Sequence, residues 1–322
     1  MKRIIGIDIG GTKCAVLTAD MDDTIRLIDK KRFDTHAETG FDSTWAELMA
    51  TLEEAFRASD KPVDAIGISC GGPLNSRKGI IQSPPNLPGW DDIHIVEILQ
   101  EKFGVPVFLQ NDANACALVE WQLGNGRGCE NMIFLTMGTG MGAGIIAENR
   151  LLRGHTDMGG EVGHMRLRPT GPVGFGKAGS FEGFTSGGGI ARLAGMLRKD
   201  WIAEGDVPAW KESDGELTTK ILADYARAGD AHAIRLFSIV GEYLGYGLAI
   251  LCDVINPERI IIGSIFGRCQ ELLEESMWRV IREEALPYTC NDLQVLPAGT
   301  GEQLGDFASI VVAQYGLKEA NA

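Results

Sequence analysis

The sequence predicts an α/β protein of two lobes, because strand and helix patterns alternate along it and one motif occurs twice. Its 322 residues exceed the length at which a single domain usually divides, so two domains are expected. A strand, a glycine turn and a second strand occur near residue 4 and again near residue 133, roughly 129 positions further on. This long spacing indicates a duplicated half rather than a short repeat.

Composition and charge exclude several classes of protein. Hydrophobic residues make up 44% and charged residues 23%, as in ordinary globular chains, and the net charge of −14 disfavours a broad nucleic-acid-binding face. No apolar run is long enough for a membrane span, and residues 1–8 lack the apolar core of a signal peptide. The seven cysteines are scattered and odd in number, as expected of reduced thiols. We therefore expect a cytoplasmic protein that binds neither nucleic acid nor membrane.

The first lobe is predicted to run β-β-β-α-β-α-β-α. Its first helix is indicated by apolar side chains at three- and four-residue steps from Trp45 to Phe56, with Ser43 or Asp42 as the cap. The predicted strands cover residues 3–9, 14–18, 25–33, 63–69 and 105–110, and the later helices cover 93–103 and 111–123.

The second lobe begins with the same strand, glycine turn and strand. A glycine-rich stretch at 154–189 is expected to be irregular. The predicted strands cover 131–137, 143–148, 259–262 and 293–297, and the helices cover 217–228, 230–251, 270–284 and 305–315. We place the lobes at 1–120, joined by the last helix at about 303–322, and at 121–302.

Residues 8–13, Asp-Ile-Gly-Gly-Thr-Lys, join the first two strands. Gly10 and Gly11 allow close backbone approach to a phosphate, while Thr12 and Lys13 add a hydroxyl and a cation. The segment is neither a Walker A loop nor a Rossmann fingerprint, and a plain hairpin turn explains it equally well when it is taken alone. Asp8, at the end of the strand, could hold Mg²⁺ through water.

A second glycine hairpin, with Gly138, Thr139 and Gly140, strengthens the interpretation of a phosphate site, because two such hairpins can hold a polyphosphate. Gly263 and Ser264 follow an apolar strand. They could admit an adenine ring against bare backbone, or they could form only a tight turn.

Asn111 and Asp112 lie where a strand ends and a helix begins, which is where ligands of open α/β sheets collect. An Asx cap of the helix is the alternative interpretation. Both can hold at once, since a capping carboxylate can also accept a proton from a substrate hydroxyl.

Three further segments carry isolated polar side chains suited to a neutral polar ligand. Asn86 lies in a stiff proline-rich loop, although that loop could serve only to pack Trp90. Glu161 and His164 have a spacing that can bind metal, but no cysteine follows nearby, so hydrogen bonding is favoured over zinc. Glu182 could equally be a solvated loop charge.

In this order the segments resemble the ROK family of sugar kinases and repressors, over essentially the whole chain. Residues 8–13 and 137–144 are similar to its two phosphate motifs, and residues 111–114 to the segment with its catalytic aspartate. Residues 85–90 and 160–165 are similar to its sugar-binding signatures. Residues 260–264 resemble its nucleotide-side strand and turn, where the family more often has two glycines.

The resemblance implies an actin-like (ribonuclease H-like) two-lobed ATPase fold, with a duplicated β-β-β-α-β-α core and a cleft that closes over its substrates. It implies a glucokinase-like transfer of phosphate from ATP, with Mg²⁺, to a hexose hydroxyl, the 6-OH, with Asp112 as the base. It also suggests a homodimer. The implied sugar contacts are Gly71, Gly72, Asn86, Asn111, Glu161, His164 and Glu182. The implied ATP contacts are Asp8, Gly10, Gly11, Thr12, Lys13, Gly138, Thr139, Gly140, Gly263 and Ser264.

One departure from the family concerns zinc. In the family a histidine and three cysteines bind a structural zinc, and here the cysteine positions are Val173, Phe175 and Ser180. We therefore expect no structural zinc and a loop packed by Val173, Phe175 and Phe181. This change puts the sugar contact of Glu182 in question.

Several alternatives stay open. The sugar could be glucose, N-acetylglucosamine, N-acetylmannosamine, fructose, mannose or allose, and glucose is the leading choice. From other classes of protein, a sugar-sensing repressor would need a DNA-binding segment before the strand that begins at Arg3. A filament-forming or regulatory ATPase would not need the sugar signatures. An inactive sugar-binding protein would not need Asp112 or both phosphate loops.

Overall fold

A computed structural model describes residues 1–210 and 217–321, and its chain forms two compact units. Unit 1 comprises Met1–Arg127, Leu151–Gly159 and Thr300–Ala322, and unit 2 comprises Gly128–Arg150 and Gly160–Gly299. The main difference from the division expected from the sequence is the short segment Leu151–Gly159, which joins unit 1.

Unit 1 is built on a five-stranded sheet with helices packed against it. Its strands are β1 (Lys2–Ile9), β2 (Lys13–Met21), β3 (Ile25–Asp34), β4 (Ala65–Cys70) and β7 (Val107–Asn111), with a small hairpin of β5 (Leu74–Asn75) and β6 (Ile80–Ile81). Its helices are α1 (Phe41–Ala58), α2 (Ile95–Phe103), α3 (Asp112–Gln122) and α10 (Leu304–Glu319). The sheet order is β3-β2-β1-β4-β7, with β1, β4 and β7 parallel and β2 antiparallel to both of its neighbours.

Glycines let α10 pack directly against the sheet of unit 1. A Cβ atom at Gly67 of β4 would overlap the Ser309 carbonyl oxygen and lie 2.7 Å from the Ala313 nitrogen. A Cβ atom at Gly6 of β1 would likewise overlap the Ser309 side chain. Since backbone meets backbone here, glycine is required at Gly67 by the close approach.

The start of α1 differs from the prediction. The helix begins after Gly40, which has a φ of 82°, and no side chain caps it, so the expected cap by Ser43 or Asp42 is wrong. Aromatic packing lies at this end instead. The Phe41 ring lies 5.2 Å from Trp45 and 5.0 Å from Trp90, and Trp90 is buried.

Unit 2 repeats the sheet of unit 1. Its strands are β8 (Met132–Met137), β9 (Met141–Ala147), β10 (Arg150–Leu151), β13 (Arg259–Ile262) and β14 (Gln294–Pro297), in the order β10-β9-β8-β13-β14. The antiparallel pair β8–β9 matches β1–β2, and the parallel neighbours β13 and β14 match β4 and β7. The duplicated core predicted from the sequence is confirmed.

The helices of unit 2 surround this second sheet. They are α4 (Phe181–Thr185), α5 (Gly187–Ala203), α6 (Thr219–Arg227), α7 (Ala231–Ile255), α8 (Ile265–Glu284) and α9 (Pro287–Cys290), and a hairpin of β11 (Val173–Gly174) and β12 (Lys177–Ala178) precedes them. The expectation that 154–189 is irregular is therefore only partly correct. The glycines at the start of α5 conceal a helix whose cap is Ser186, which accepts a hydrogen bond from the Gly189 nitrogen at 3.1 Å.

Helix α7 is long and apolar enough to span a membrane by length and composition alone. Half of its most apolar window is buried inside the structure. Leu236, Val240 and Leu244 of α7 are fully buried in the core of unit 2. This is the pattern of a core helix in a soluble protein.

Candidate active site

Three parallel strands of unit 1 bring their carboxyl ends to one edge of the sheet. Asp8 of β1 pairs with Ser69 of β4, and Cys70 of β4 pairs with Asn111 of β7. Gly71 and Gly72 follow β4 directly, and Asp112 follows β7. Asp8 therefore lies at the same edge of the sheet as the Gly71-Gly72 pair and the Asn111-Asp112 pair. Ligands of α/β sheets bind at this edge.

The Asn-Asp pair forms the start of α3. The Asn111 side-chain oxygen accepts a hydrogen bond from the Ala113 nitrogen at 3.0 Å, and Asp112 Oδ1 accepts from the same nitrogen at 2.7 Å. The Asx cap is confirmed. A Cβ atom at Gly72 would lie 3.3 Å from Asn111 Nδ2, so the glycine lies directly beside this cap.

The carboxylates at this edge have raised pKa values. Asp112 keeps contact with solvent, but the protein atoms crowded around it reduce its hydration and raise its pKa. Burial raises the pKa of Asp8 to about 6, with a further contribution from the negative charges of Asp112 and Asp306. The positive charges of Lys30 and Arg32 lower it in part. Paired carboxylates with raised pKa values are frequent in active sites.

The first glycine loop packs against the proline-rich segment. Gly10 donates its N–H to the Lys13 carbonyl at 3.1 Å, and Thr35 Oγ1 donates to the Gly10 carbonyl at 2.5 Å. A Cβ atom at Gly11 would lie 2.6 Å from the Asn86 Cβ, so the phosphate loop and the candidate sugar residue Asn86 are brought together. The segment also packs Trp90 into the core, as its alternative interpretation expected.

The second glycine hairpin, in unit 2, is fixed by two neighbours. The Gly138 carbonyl accepts a hydrogen bond from the Gly187 nitrogen at 2.8 Å, which ties the hairpin to the start of α5. Glu182 Oε2 accepts from the Met141 nitrogen at 3.0 Å. Glu182 therefore shapes the hairpin, and its contact with a sugar stays a prediction.

Residues 160–164 pack against β9 and Glu182. The Ala143 nitrogen donates to the Gly160 carbonyl at 2.9 Å, and Gly160 has a φ of 92°. A Cβ atom at Gly163 would overlap the Met141 carbonyl oxygen and lie 3.3 Å from the Glu182 Cβ. Unit 2 thus brings the second hairpin, the Glu-x-x-His segment and Glu182 together.

The loop in which the family has its zinc cysteines ends in a two-residue hairpin. Phe175 and Gly176 both have positive φ values, 41° and 75°, as a type I′ turn requires. Val173 is 45% exposed and Phe175 is 74% exposed, so the expectation that they pack the loop is wrong, whereas Phe181 is buried as expected. Phe175 lies at the hairpin tip, which faces solvent, and Val173 lies in the short strand that leads to it.

Hydrogen bonds close this loop. The Leu167 nitrogen donates to the Gly179 carbonyl at 2.9 Å, and the Phe181 nitrogen donates to the Met165 carbonyl at 2.8 Å. Ser180, at a former cysteine position, accepts from the Gly183 nitrogen at 3.1 Å and caps α4. Among residues 1–210 and 217–321, no group of three or more His, Cys, Asp or Glu side chains could hold a metal ion. The donor set at His164 therefore does not fit a structural zinc.

We expect protein purified without added metal to contain far less than one zinc per chain. A chelator should leave the melting temperature unchanged, because no thiolate ligand is present to couple zinc to folding. Elemental analysis together with thermal melts with and without chelator checks this. One tightly bound zinc whose removal lowers the melting temperature would contradict it.

The turn after β13 lies beside the second glycine hairpin. The Gly263 nitrogen donates to the Leu135 carbonyl at 2.9 Å, and a Cβ atom at Gly138 would lie 3.8 Å from Ser264 Oγ. Ser264 has φ 58° and ψ −108°, a conformation that glycine adopts more easily than serine. The candidate nucleotide-side turn therefore carries backbone strain.

Replacing Ser264 with glycine should raise the free energy of unfolding by about 1 kcal/mol, because relief of strain exceeds the entropy cost of glycine. Thermal and urea unfolding of Ser264→Gly measure this. Ser264→Ala keeps the strain, and it serves as the control that should show no gain. Equal stability of the wild type and both variants would contradict the prediction.

Two acidic residues near the site had no local signal in the sequence. Asp306, on α10, pairs with Lys30 and raises the pKa of Asp8 through its charge. Glu120, on α3, is fully buried. Their contacts join segments far apart in the chain, so neither spacing nor periodicity indicated them.

Comparison with known proteins agrees with this geometry. A glucokinase from Halalkalibacterium halodurans is 32% identical over 94% of this chain and 92% of the relative. The crystal structure of a ROK family glucokinase from Streptomyces griseus, in complex with glucose and AMPPNP, is 28% identical with a TM-score of 0.72, over 98% of this chain and 100% of that one. The structure of a ROK family transcriptional regulator, a homolog of the E. coli MLC protein, is 25% identical with a TM-score of 0.84, over 96% of this chain and 77% of that one.

The family assignment depends on nearly the whole chain. The ROK family profile matches residues 4–314, which include both glycine hairpins and the Asn-Asp pair. The resemblance drawn from the motifs is confirmed, and the two matching sheets are those of the actin-like ATPase fold. The chain therefore belongs to the ROK family.

Proposed function

We propose that this protein is a sugar kinase, which transfers the terminal phosphoryl group of ATP to a hydroxyl of a hexose. The observation that carries the proposal is the placement of two carboxylates, Asp8 and Asp112, at the carboxyl ends of neighbouring strands of unit 1, where both pKa values are raised. The glucokinase relatives and the ATP analogue bound to the Streptomyces griseus enzyme support it.

Asp112 is the proposed general base. The protein atoms crowded around Asp112 raise its pKa, and a carboxylate with a raised pKa is a stronger base. The Ala113 nitrogen holds one carboxylate oxygen, so the other oxygen is the one to accept the proton of the sugar hydroxyl. We assign this hydroxyl as the 6-OH of the hexose.

Backbone N–H groups are the proposed phosphate ligands. In unit 1 they come from Gly11 and Thr12, beside the Lys13 ammonium, and in unit 2 from Thr139 and Gly140. Gly10 and Gly138 shape the two loops, because their N–H groups donate to the Lys13 and Gly140 carbonyls. Fixed N–H donors stabilise the charge that develops on the transferred group, and positioning supplies most of the rate. We place the adenosine at Gly263 and Ser264.

The residues of unit 1 fit a hydrated Mg²⁺ ion. Burial raises the pKa of Asp8, and the negative charges of Asp112 and Asp306 raise it further, so a cation beside its carboxylate would be favoured. Mg²⁺ is commonly held by one or two carboxylates, waters and substrate phosphates. Asp8 would hold the ion through water, and the bound ion would neutralise phosphate charge.

We assign the sugar contacts to both units. Gly71, Gly72, Asn86 and Asn111 belong to unit 1, and Glu161, His164 and Glu182 belong to unit 2. Amide and carboxylate groups supply the donors and acceptors that sugar hydroxyls need. Glucose is the proposed sugar.

We further propose that the protein acts as a homodimer in the cytoplasm. The seven cysteines form no disulfide within residues 1–210 and 217–321, as expected in a reducing compartment. Light scattering of the purified protein tests the dimer, and a monomer at micromolar concentration would contradict it.

A coupled ATP assay over a panel of hexoses and amino sugars tests the function. We expect turnover with glucose and slow ATP hydrolysis without sugar, because binding of both substrates is needed to exclude water. The likeness to a transcriptional regulator favours a second candidate, a sugar sensor without activity. Sugar binding by calorimetry without any sugar-dependent turnover would favour the sensor, and fast hydrolysis without sugar would contradict both.

The activity should fall as the pH is lowered, and the fall should begin above the usual carboxyl pKa range. The base must be ionised, and a raised carboxyl pKa moves its loss to a higher pH than for an ordinary aspartate. A profile of kcat/KM from about pH 8 to about pH 5 measures this. Activity that stays constant down to the usual carboxyl pKa range would contradict it.

A further inference from the structure

Glu120 is a fully buried carboxylate on the helix that begins with Asp112. Carboxylates are rarely buried completely unless polar partners compensate the lost hydration. Here Glu120 Oε1 accepts hydrogen bonds from the Thr300 nitrogen at 3.0 Å and from Thr300 Oγ1 at 2.6 Å. Its other oxygen, Oε2, accepts from the Asn125 nitrogen at 3.0 Å.

These partners lie where the chain enters and leaves unit 1. Asn125 belongs to the segment after α3, and the chain passes to unit 2 after Arg127. Thr300 is the first residue of the returning segment, which continues into α10. One carboxylate on α3 therefore holds both connecting segments.

The backbone around Glu120 is fitted closely to it. The Gly124 and Gly126 nitrogens donate to the Glu120 carbonyl at 3.1 Å and 2.9 Å. A Cβ atom at Gly124 would overlap Oε2 and lie 2.5 Å from the carboxyl carbon. A side chain at Gly124 would therefore displace the carboxylate from its donors.

The other end of α3 is also held by a buried polar side chain. Gln110 Oε1 accepts from the Asn111 nitrogen at 2.9 Å and from Asn114 Nδ2 at 3.1 Å. Eight residue steps separate Asp112 from Glu120, which is about 12 Å of helix. Such a short buried helix moves as one piece, so a shift at Glu120 is passed on to Asp112.

We infer that Glu120 is a positioning residue, which fixes α3 to the two connecting segments and so sets the position of Asp112. The inference rests on the proposed function, since Asp112 is its base. A loss of alignment of about 1 Å can cost up to about 10²-fold in rate. The candidate sugar and phosphate residues lie mainly on other elements, so substrate binding should change much less.

Glu120→Gln is the sharpest test, because it keeps the shape of the side chain. Whichever way the amide turns, its NH₂ group faces a donor, either Thr300 or Asn125. We expect kcat to fall by about 10- to 10²-fold, with KM for sugar and ATP within about 3-fold of the wild type. Amide hydrogen exchange should rise at 112–116 and at 123–128.

Asp20→Asn is the matched control. Asp20 is another buried carboxylate of unit 1, on β2, bonded to Arg3 and Arg26. We expect it to lower the melting temperature, with kcat and exchange at 112–116 unchanged. The comparison separates the effect of displacing Asp112 from the effect of destabilising unit 1.

Gly124→Ala supplies a double-mutant cycle. Alone it should lower kcat, because its methyl group displaces the carboxylate. In a Glu120→Ala background it should add little further loss, since no carboxylate is left to displace. Additive losses would contradict the inference.

The inference is also overturned by wild-type kcat in Glu120→Gln, or by the same loss of kcat in Asp20→Asn. A wild-type protein without sugar-dependent turnover would instead overturn the proposed function. In that case the hydrogen exchange of Glu120→Gln still decides the inference, and unchanged exchange at 112–116 rejects it.

Discussion

Replacing Asp112 with asparagine should lower sugar-dependent ATP turnover by about 10²- to 10⁴-fold, the usual effect of removing a general base. Asparagine has the same shape and keeps an oxygen for the Ala113 nitrogen, so the start of α3 should stay intact. What it loses is the ability to accept a proton. Steady-state kinetics with glucose and ATP measure the effect, which should appear in kcat.

Asp230→Asn is the matched control for this variant. Asp230 also precedes a helix, α7, and its side chain accepts from the Ala233 nitrogen at 2.8 Å. Asparagine is an equally good cap, and Asp230 has no proposed role in the reaction, so activity should be unchanged. Near-normal turnover in Asp112→Asn would show that Asp112 is not the base.

Replacing Gly67 with alanine should lower the free energy of unfolding of unit 1 by about 3 kcal/mol, the upper end of the usual cost of overpacking. The new methyl group would lie 2.7 Å from the Ala313 nitrogen and overlap the Ser309 carbonyl. Both are backbone atoms of α10, so no side-chain rotation relieves the overlap. Urea unfolding followed by circular dichroism measures the loss.

Gly305→Ala, on the same helix, is the control. A Cβ atom at Gly305 meets open space, so alanine should be neutral or stabilise the helix by a few tenths to about 1 kcal/mol. A small effect at Gly67, similar to that at Gly305, would mean that α10 can move away from the sheet at little cost.

The sequence predicted the elements that local patterns determine. The two strand–turn–strand units and the apolar strand 259–262 all occur in the structure, because side-chain periodicity and glycine turns are local properties. The cap of α1 was missed, since an aromatic group formed by distant residues lies at that end of the helix. Helix α5 was missed, because the glycines at its start have low helix propensity.

In the candidate site, too, the residues marked by local motifs were predicted and those that depend on distant contacts were not. Asp8 and Asp112 were found from local motifs, and their roles stay predictions. Asp306 and Glu120 become visible only when α10 and its preceding segment return to unit 1, a contact that no local pattern encodes. The prediction for Phe175 was wrong because a hydrophobic side chain was expected to be buried, whereas its position at a hairpin tip exposes it.

The packing of α10 on β1 and β4 determines the order in which the protein can mature on the ribosome. The strands of unit 1 are synthesised first, but the helix that covers them is synthesised after all of unit 2. A nascent chain therefore completes its second half while the surface of the first sheet that α10 covers is still exposed. During translation, that part of the N-terminal sheet is the surface that chaperones would have to protect.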